Sequence, residues 1–373
     1  KRRGGNMKVI CDGLELCDAA ITVNKAIGTR TTNPILEGIK LVAEDNTLTL
    51  SATDLELSIE KKIKAEVREE GETVVPGKFF SDFIKKLTAE SIELTLNEKN
   101  QLKIKYTDSE SILQCYPVLE YPGFKKIESG EYFGIEKKSF KELINKTLFA
   151  VAVDDSRPIL KGVLFEVEEK EILATALDGY RLAHMKKELK ASTVKTSFIV
   201  PSRSLAEISK LLDDSEDIIN VYIQKNYIMA DFGDCKVITR LLEGDFINYN
   251  QIISTSFETV VNINKNQFED ALERASLLSK IGQNNLVKFE MSGDVLCLTS
   301  NSEIGNIKEN VNIALHGKDL TIAFNARYFI EALRVLSDEF VTINFNSPSS
   351  PCIIKPLQGD DYLFLILPVR MIN

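Results

Sequence analysis

The fold is decided by the stretch Arg157–Met185, which reads R-P-I-L-K-G-V-L-F-E-V-E-E-K-E-I-L-A-T-A-L-D-G-Y-R-L-A-H-M. Apolar side chains occupy alternate positions in Val163–Val167, a period that is typical of a strand with one apolar face. Ile172–Leu177 predicts the returning strand, and a third strand is expected from Tyr180 onward. Between these two strands, Asp178-Gly179 predicts a turn, because glycine accepts a positive φ and aspartate hydrogen-bonds its own backbone.

The same pattern occurs earlier in the chain, in Asn33–Ile59. The motif Pro-Ile-Leu-x-Gly starts at Pro34 in the first copy and at Pro158 in the second, 124 residues downstream. A fainter third copy starts at Asn285. A period near 125 in a chain of 373 residues therefore predicts three similar domains.

We expect these domains to span residues 7–126, 127–253 and 254–373. An amphipathic helix precedes each copy of the repeat, and a strand that runs into a second helix follows it. Each domain is therefore predicted to hold two helices packed on about eight strands of antiparallel sheet, which is an α+β fold. Residues 1–6, K-R-R-G-G-N, precede Met7 and are interpreted as a remnant of cloning.

The residue types that catalytic and metal sites need are sparse or badly spaced. No two of the six cysteines form a C-x-x-C pair, and the chain has two histidines, so a zinc site is not expected. No phosphate-binding G-x-x-x-x-G-K-[ST] loop occurs. The kinase-like triplet Asp231-Phe232-Gly233 and the acidic pairs Asp154-Asp155, Asp213-Asp214 and Asp360-Asp361 fall in predicted turns. We therefore expect no catalytic residue, no metal and no cofactor.

The formal net charge is −9, which argues against a conventional basic DNA-binding domain. The charge is unevenly distributed, however, because six predicted helical segments sum to +4 and the remainder carries −13. These segments are Asp12–Ile27, Lys78–Leu87, Lys137–Val153, Arg203–Asp213, Lys265–Lys280 and Arg327–Leu336. Helices tolerate lysine well in any protein. The same distribution is expected if one helix-lined surface faces a polyanion.

Several further motifs lie in the order found in one family. They are T-N-P-I-L-E-G, S-A-T-D-L-E-L, R-P-I-L-K-G, A-L-D-G-Y-R-L-A, I-V-P-S-R-S-L, L-L-E-G-D-F-I-N-Y, F-N-A-R-Y and the terminal L-P-V-R-M. Together they resemble the bacterial DNA polymerase III beta subunit, the sliding clamp family. The resemblance implies the DNA clamp fold, in which a head-to-tail homodimer of three-domain chains closes a ring around duplex DNA. It also implies a non-catalytic processivity factor that binds DNA without sequence preference.

The resemblance further implies which residues face DNA and which form the dimer. The DNA-facing positions would be Arg30, Lys78, Lys161 and Lys280, although ordinary solvated bases look the same in a sequence. At the subunit junction, a helix end with Leu277 and Leu278 would meet an edge strand with Ile112 and Leu113. Two apolar residues at a helix end also suit an ordinary core, so that alternative stays open.

A peptide-binding cleft between the second and third domains is the docking site of the family. Residue by residue, the resemblance assigns it to Leu160, Leu177, Gly179, Tyr180, Arg181, Leu182, Ile247, Ile252, Tyr328, Ser350, Leu367, Pro368, Val369, Arg370 and Met371. Short linear motifs of the replicative polymerase alpha subunit, the clamp loader, translesion polymerases and mismatch-repair proteins would dock there. Leu177, Ile247 and Gln251 replace the usual threonine, proline and basic residue, and Ile372-Asn373 extends the usual terminus, so the peptide preference stays open.

Two other classes of function are compatible with the same residues. One is an enzyme of unknown type on a repeated β-rich scaffold, and the other is an adaptor that binds peptides without forming a ring. A clamp stays on nicked circular DNA and is lost when that DNA is linearised, which distinguishes it from both. No apolar run of about 18 residues is present, so we expect no membrane segment, and the unpaired cysteines suit a cytoplasmic protein.

Overall fold

The computed structural model describes residues 6–28, 33–124, 127, 130–154, 156–279 and 285–370. Three expected site residues, Arg30, Lys280 and Met371, lie outside these ranges. The described chain contains the α-helices α1 (Gly13–Asn24), α2 (Gly77–Ile84), α3 (Lys137–Leu148), α4 (Ser202–Leu211), α5 (Lys265–Ser279) and α6 (Ala326–Arg334). Within the described residues, no helix is both long enough and apolar enough to cross a membrane.

The strands are β1 (Met7–Asp12), β2 (Gly38–Glu44), β3 (Thr47–Thr53), β4 (Leu57–Glu69), β5 (Gly71–Pro76), β6 (Ser91–Leu96), β7 (Gln101–Tyr106), β8 (Ser109–Gln114), β9 (Glu131–Glu136), β10 (Gly162–Val167), β11 (Glu171–Leu177), β12 (Arg181–Glu188), β13 (Ala191–Ser192), β14 (Thr196–Pro201), β15 (Ile218–Gln224), β16 (Tyr227–Asp231), β17 (Cys235–Arg240), β18 (Thr259–Asn264), β19 (Leu286–Ser292), β20 (Val295–Ser302), β21 (Gly305–Gly317), β22 (Leu320–Asn325), β23 (Phe340–Phe345), β24 (Cys352–Pro356) and β25 (Tyr362–Ile366). Neighbouring strands pair antiparallel, so the expected α+β fold with antiparallel sheets is confirmed.

One compact unit comprises Lys1–Gly134 together with Ile218–Leu241. Its strands follow the order β15-β16-β17-β4-β1-β6-β7-β8, and β3, β2 and β5 continue from β4 as a branch. Helices α1 and α2 pack on each other, and α1 also packs on β3 and β4. The side chains of Leu16 and Phe80 are fully buried in this core.

Local chemistry explains where these two helices begin. Asp12 Oδ1 accepts hydrogen bonds from the N–H groups of Leu14 and Glu15, at 2.8 and 2.9 Å, and so caps α1. Helix α2 starts at Gly77, where a Cβ atom would lie 2.8 Å from the backbone carbonyl oxygen of Glu37. The glycine therefore allows a close approach that no larger residue permits.

The other compact unit comprises Ile135–Asp217 together with Leu242–Asn373. Its sheet has the order β14-β10-β11-β12-β25-β24-β23-β18-β21-β20-β19-β22. Helix α3 packs on α4 and β12, and α5 packs on α6, β20 and β21. Aromatic rings with centroids 4.9 to 5.9 Å apart fill the core beside α5 and α6: Phe268, Phe289, Phe324 and Phe329.

The deciding stretch folds into β10, β11 and β12, as predicted. Gly179 adopts a φ of +92°, and Asp178 Oδ1 accepts hydrogen bonds from the N–H groups of Tyr180 and Arg181, which confirms the expected turn. Strand β10 differs from its prediction in one respect. Leu164, on the second face of the strand, is also buried, because an apolar cluster packs on that face.

Five predicted helices end earlier than the sequence suggested: α2 ends at Ile84 instead of Leu87, α4 at Leu211 instead of Asp213 and α6 at Arg334 instead of Leu336. The other two are α1 and α3. Helix α1 ends at Asn24 instead of Ile27, and α3 ends at Leu148 instead of Val153. Beyond α1, Ile27 N–H donates to the carbonyl of Asn24 at 3.1 Å, so the backbone has tightened to a turn with three-residue spacing. The apolar pattern continues through such turns, which is why it overestimates the length of the helix.

Candidate functional site

A buried apolar cluster connects β10, β11, β12, β24 and β25. Its members are Ala152, Leu160, Leu164, Leu177, Leu182, Ile199, Tyr249, Ile353, Leu363 and Leu365. Three expected cleft residues, Leu160, Leu177 and Leu182, belong to this cluster, and Ile247 packs against it. The fold therefore brings these four residues together from separate segments of the chain.

Tyr249 anchors the segment that carries Ile247. Its hydroxyl donates to Glu166 Oε2 at 2.6 Å, and its ring centroid lies 5.2 Å from that of His184. The Nδ1 atom of His184 lies 2.8 Å from Thr175 Oγ1. Burial lowers the pKa of His184 to about 4 and raises the pKa of Tyr249 to about 12. Both rings are therefore uncharged at neutral pH, and they stabilise this segment through packing and hydrogen bonds.

Two tyrosine rings stack beside the turn that joins β11 to β12. Tyr180, which is 61% exposed, stacks on Tyr328 with ring centroids 6.0 Å apart. The neighbouring Arg181 is turned inward and is 7% exposed. Its Nε donates to Asp178 Oδ2 at 3.0 Å, and its Nη1 donates to Glu331 Oε2 at 2.5 Å. Two carboxylates therefore already match the charge of this guanidinium.

The last described residues of the chain run past the same turn. Strand β25 pairs with β12, and Leu367 N–H then donates to the carbonyl of Tyr180 at 2.9 Å. Pro368 has no N–H to extend the ladder. Val369 N–H donates to the carbonyl of Ala323, in β22, at 2.8 Å. The terminal segment is therefore held by hydrogen bonds on both sides of Pro368.

Contacts among the described residues do not bring every expected cleft residue into the apolar cluster. Ile252 is 47% exposed. The hydroxyl of Ser350 lies 2.7 Å from that of Ser347, in the turn before β24. Arg370 is exposed, and Met371 lies outside the described residues.

The residues expected at a subunit junction include well-exposed apolar side chains. Ile112 in β8 is 62% exposed, and Leu277 near the end of α5 is 60% exposed. Their neighbours Leu113 and Leu278 are half-buried. At the end of α5, one leucine thus faces solvent and the other packs partly on its own chain.

Two of the four expected DNA-facing residues, Lys78 and Lys161, are described. Lys78 is exposed on the first turn of α2, whereas Lys161 is half-buried and already has an interaction partner. Lys85 and Lys86, which follow α2, are exposed as well. In the described part of the chain, Lys78, Lys85 and Lys86 have no ion-pair partner.

Tyr249, Glu166 and Glu331 contribute contacts to the candidate site that the sequence did not reveal. Glu166 looked like a solvent-facing residue of an alternating strand, and Glu331 like an ordinary charge on a helix. Glu166 meets its partner across 83 residues, and Glu331 meets Arg181 across 150 residues, so the pairs are visible only in the fold. Among the described residues, no group of three His, Cys, Asp or Glu side chains is placed to hold a metal ion.

Comparison with known proteins identifies the family. The N-terminal, central and C-terminal domain models of the DNA polymerase III beta subunit match residues 7–125, 134–248 and 250–370. The beta sliding clamp of Staphylococcus epidermidis strain RP62A is 35% identical over 356 residues, which cover 93% of this chain and 94% of that protein. A beta sliding clamp of Staphylococcus aureus shows the same identity and coverage.

Solved structures agree with these sequence relatives. The DNA polymerase sliding clamp from Bacillus subtilis matches with a TM-score of 0.95 and 32% identity, over 98% of this chain and 100% of that chain. The DNA polymerase III beta chain from Streptococcus pneumoniae matches with a TM-score of 0.94 and 30% identity, with the same coverage. On this evidence, the chain belongs to the bacterial DNA polymerase III beta-subunit family, the beta sliding clamps.

Proposed function

We propose that two copies of this chain join head to tail into a ring around duplex DNA, each copy contributing domains 7–126, 127–253 and 254–373. The family is a non-catalytic processivity factor of DNA replication. A closed ring retains DNA by topology, so it needs neither base contacts nor tight phosphate binding. The proposal rests on one observation: strands of successive repeats pair within the chain, and two strand edges are left without a partner among the described residues.

Two strand pairings within the chain join one repeat to the next in the same way. Strand β17, the last strand of the second repeat, pairs with the first half of β4 in the first repeat. Strand β25, the last strand of the third repeat, pairs with β12 in the second repeat. Strands β4, β12 and β21 occupy equivalent places in the three repeats. By the same rule, β21 should pair with the last strand of a first repeat, which is β8.

Both strands have an edge available for this pairing. Among the described strands, β8 pairs only with β7, and the Gly305–Val311 half of β21 pairs only with β20. An uncovered strand edge promotes association, because its N–H and C=O groups lack partners. The two edges differ, so a head-to-tail pair of chains makes the contact twice and covers both.

Exposed apolar side chains flank these edges. Tyr180 and Tyr328 stack where the second repeat meets the third, and their repeat equivalents are Ile304 and Phe79. Ile304 is 70% exposed and Phe79 is 59% exposed. We infer that Ile304 of one chain meets Phe79 of the other, in the place that the tyrosine pair occupies within a chain. Leu277 and Ile112 add further apolar area to the same junction.

The lysines on and after α2 suit a phosphate backbone. Lys78, Lys85 and Lys86 are exposed and have no ion-pair partner in the described chain. Each would neutralise a phosphate without reading sequence. We propose Lys78 as a DNA-facing residue, together with Arg30, Lys161 and Lys280, whose positions follow from the family resemblance.

We further propose that the apolar cluster and the tyrosine pair form the docking cleft for short linear motifs. The cleft would comprise Leu160, Leu177, Gly179, Tyr180, Arg181, Leu182, Ile247, Ile252, Tyr328, Ser350, Leu367, Pro368, Val369, Arg370 and Met371. Its ligands would come from the replicative polymerase alpha subunit, the clamp loader, translesion polymerases and mismatch-repair proteins. An apolar surface edged by two aromatic rings suits an extended peptide with apolar anchors.

Retention on DNA tests the ring. The protein is loaded onto nicked circular DNA by a clamp loader, and bound protein is counted by gel filtration before and after a restriction enzyme linearises the circle. We expect retention on the circle and loss from the linear DNA. Equal retention on both forms would contradict a topological link.

A cysteine cross-link tests the junction and its register. If β21 and β8 keep the register of β4 and β17, Asn306 lies directly opposite Ile112 of the partner subunit. The double variant Asn306→Cys/Ile112→Cys should form a disulfide-linked dimer on oxidation. Opposite Cβ atoms lie about 4.5–5.5 Å apart, and a small movement of the strand edge brings them to the about 3.5–4.5 Å that a disulfide needs. The matched control Asn306→Cys/Leu113→Cys points one side chain to the other face and should stay unlinked. Cross-linking of both variants, or of neither, would contradict this register.

A further inference from the structure

Arg181 connects two structural elements that carry the tyrosine pair. It is the first residue of β12, next to Tyr180 in the turn. Its Nη1 bonds to Glu331, which lies in α6 on the same helix as Tyr328. Its Nε and its backbone N–H both bond to Asp178, which closes the turn. One side chain therefore joins the turn that presents Tyr180 to the helix that presents Tyr328.

Aromatic rings complete the surroundings of the guanidinium. Its Cζ atom lies 4.8 Å from the ring centroid of Tyr328 and 5.4 Å from that of Phe149. Cation–π contacts of this kind gain strength when the cation is desolvated, as it is here. The group thus has two carboxylates and two aromatic faces as partners while it is 7% exposed.

Glu331 also has two charged partners, Arg181 and Arg327. Burial raises the pKa of its carboxyl group, but the hydrogen bonds from Arg327 and Arg181 outweigh burial, and the net pKa is lowered. Arg327 Nε donates to the second carboxylate oxygen, Oε1, at 2.6 Å. The carboxylate therefore stays ionised at neutral pH and holds Arg181 through a charge-assisted hydrogen bond.

The family resemblance counts Arg181 among the residues that line the cleft. We propose that its role there is positioning: the Arg181–Glu331 pair fixes the Tyr180–Tyr328 stack, and the neighbouring cleft residues bind the peptide. The inference rests on the proposed docking function of the cleft. An arginine at a cleft is an obvious ligand for an acidic group, yet this one has no unmatched charge to offer. Taking it from Glu331 would leave a carboxylate in a partly buried site with one partner fewer, which is unfavourable.

The variant Glu331→Gln separates the two roles, because Glu331 bonds to Arg181 and is not itself one of the proposed cleft residues. The probe is a synthetic peptide with the clamp-binding motif of the polymerase III alpha subunit, titrated by calorimetry. If Arg181 positions the tyrosines, Glu331→Gln should weaken peptide binding about tenfold, the effect of losing one charged hydrogen bond. Arg181→Lys should weaken it similarly, and the double variant no more than either single variant. If Arg181 instead binds the peptide, Glu331→Gln should leave the affinity unchanged or raise it, which would overturn the proposal.

The matched control is Arg327→Gln, which removes the other partner of Glu331 and leaves Arg181 in place. It should change peptide affinity less than twofold. Each variant's melting temperature is compared with that of the parent, and Glu331→Asp, which keeps the charge but shortens the reach, replaces Glu331→Gln if the latter does not fold.

Fluorine NMR of fluorotyrosine-labelled protein detects changes in the Tyr180–Tyr328 stack when no peptide is present. The resonances of Tyr180 and Tyr328 are assigned by Tyr→Phe substitution in protein that carries 3-fluorotyrosine. Both should shift in Glu331→Gln and stay in place in Arg327→Gln. If the parent protein binds no peptide, the docking function fails, and the NMR result alone decides whether the pair positions the tyrosines. Unshifted resonances in Glu331→Gln would reject the positioning role even if peptide binding is intact.

Discussion

The first helix pair, α1–α2, and the third helix pair, α5–α6, occupy equivalent places in the repeat, yet their charges are arranged differently. In the α5–α6 pair, each described base of the two helices has a carboxylate partner. The pairs are Lys265–Glu269 at 2.9 Å, Arg274–Glu309 at 2.8 Å, Arg327–Glu331 at 2.6 Å and Arg334–Glu273 at 2.5 Å. On and after α2, by contrast, the exposed Lys78, Lys85 and Lys86 have no such partner among the described residues.

This difference in ion pairing gives the two helix pairs different electrostatic properties. A cation already paired with a carboxylate adds little field for a phosphate to feel, whereas an unpaired lysine adds a full charge. We therefore expect the first pair to attract DNA more strongly. We propose other tasks for the third pair, in which Glu331 supports the tyrosine stack and Leu277 lies at the subunit junction.

The largest expected effect is the loss of unfolding free energy when a core phenylalanine beneath either helix pair is truncated. Phe80 in α2 and Phe329 in α6 are both fully buried. Truncation to alanine should cost about 3–5 kcal/mol of unfolding free energy in either case. Phe329→Ala should cost about 1 kcal/mol more, because its ring lies 4.9 Å from that of Phe324 and meets two further rings. Urea unfolding followed by circular dichroism measures both values. A larger loss for Phe80→Ala would contradict this ranking.

The second effect concerns the exposed leucine of the third pair. Leu277→Asp should leave the chain folded, because the side chain is 60% exposed. It should weaken the dimer by about 3 kcal/mol in total, about 1.5 kcal/mol from the desolvated charge at each of the two junctions. That corresponds to roughly a hundredfold rise in the dimer dissociation constant, measured by analytical ultracentrifugation. Leu357→Asp, at a position that is 50% exposed in the turn before β25, is the matched control and should remain dimeric. Equal behaviour of the two variants would remove Leu277 from the junction.

The third effect tests the charge contrast directly. Replacing Lys78, Lys85 and Lys86 with glutamine should lower the slope of log affinity for short duplex DNA against log salt by up to about 2.7, since each phosphate contact contributes about 0.9. The matched variant Arg327→Gln/Arg334→Gln should change that slope by less than about 0.5. Fluorescence anisotropy over a range of salt concentrations measures both slopes. If the arginine variant lost more of the slope, the contrast between the two helix pairs would be reversed.

The sequence was sufficient for the repeat, the strand-turn-strand pattern and the antiparallel α+β fold, because these depend on local periodicity and turn chemistry. The Asp178-Gly179 turn is an example: glycine conformation and the aspartate side chain determine it within four residues. The helix charge count was less informative. It treated Lys78 and Arg327 alike, since a count cannot show that Arg327 is paired with Glu331.

The candidate site was only partly predictable for the same physical reason. Leu160, Leu177 and Leu182 were expected together, and the fold places all three in the apolar cluster. The bond between Tyr249 and Glu166 joins residues that are 83 positions apart and leaves no local pattern in the sequence. Long-range polar pairs depend on how the sheet and the connecting segment pack, which periodicity does not encode.

The smallest expected effect is a difference in acid sensitivity between the two helix pairs. The hydrogen bond from Arg274 lowers the pKa of Glu309, and the bonds from Arg327 and Arg181 lower that of Glu331 despite its burial. Because the folded-state pKa lies below the ordinary value of 4.5, each group stabilises the fold fully above that pH and progressively less as the pH falls through the folded-state pKa. Hydrogen exchange, corrected for intrinsic rates, should therefore show α5 and α6 losing protection as the pH falls below 4.5, before α1 and α2 do. The double variant Glu309→Gln/Glu331→Gln should lose this difference, because its two amides do not titrate. Parallel loss of protection in both helix pairs of the parent protein would show that the ion pairs of α5 and α6 add no stability, and the charge contrast would then matter for DNA alone.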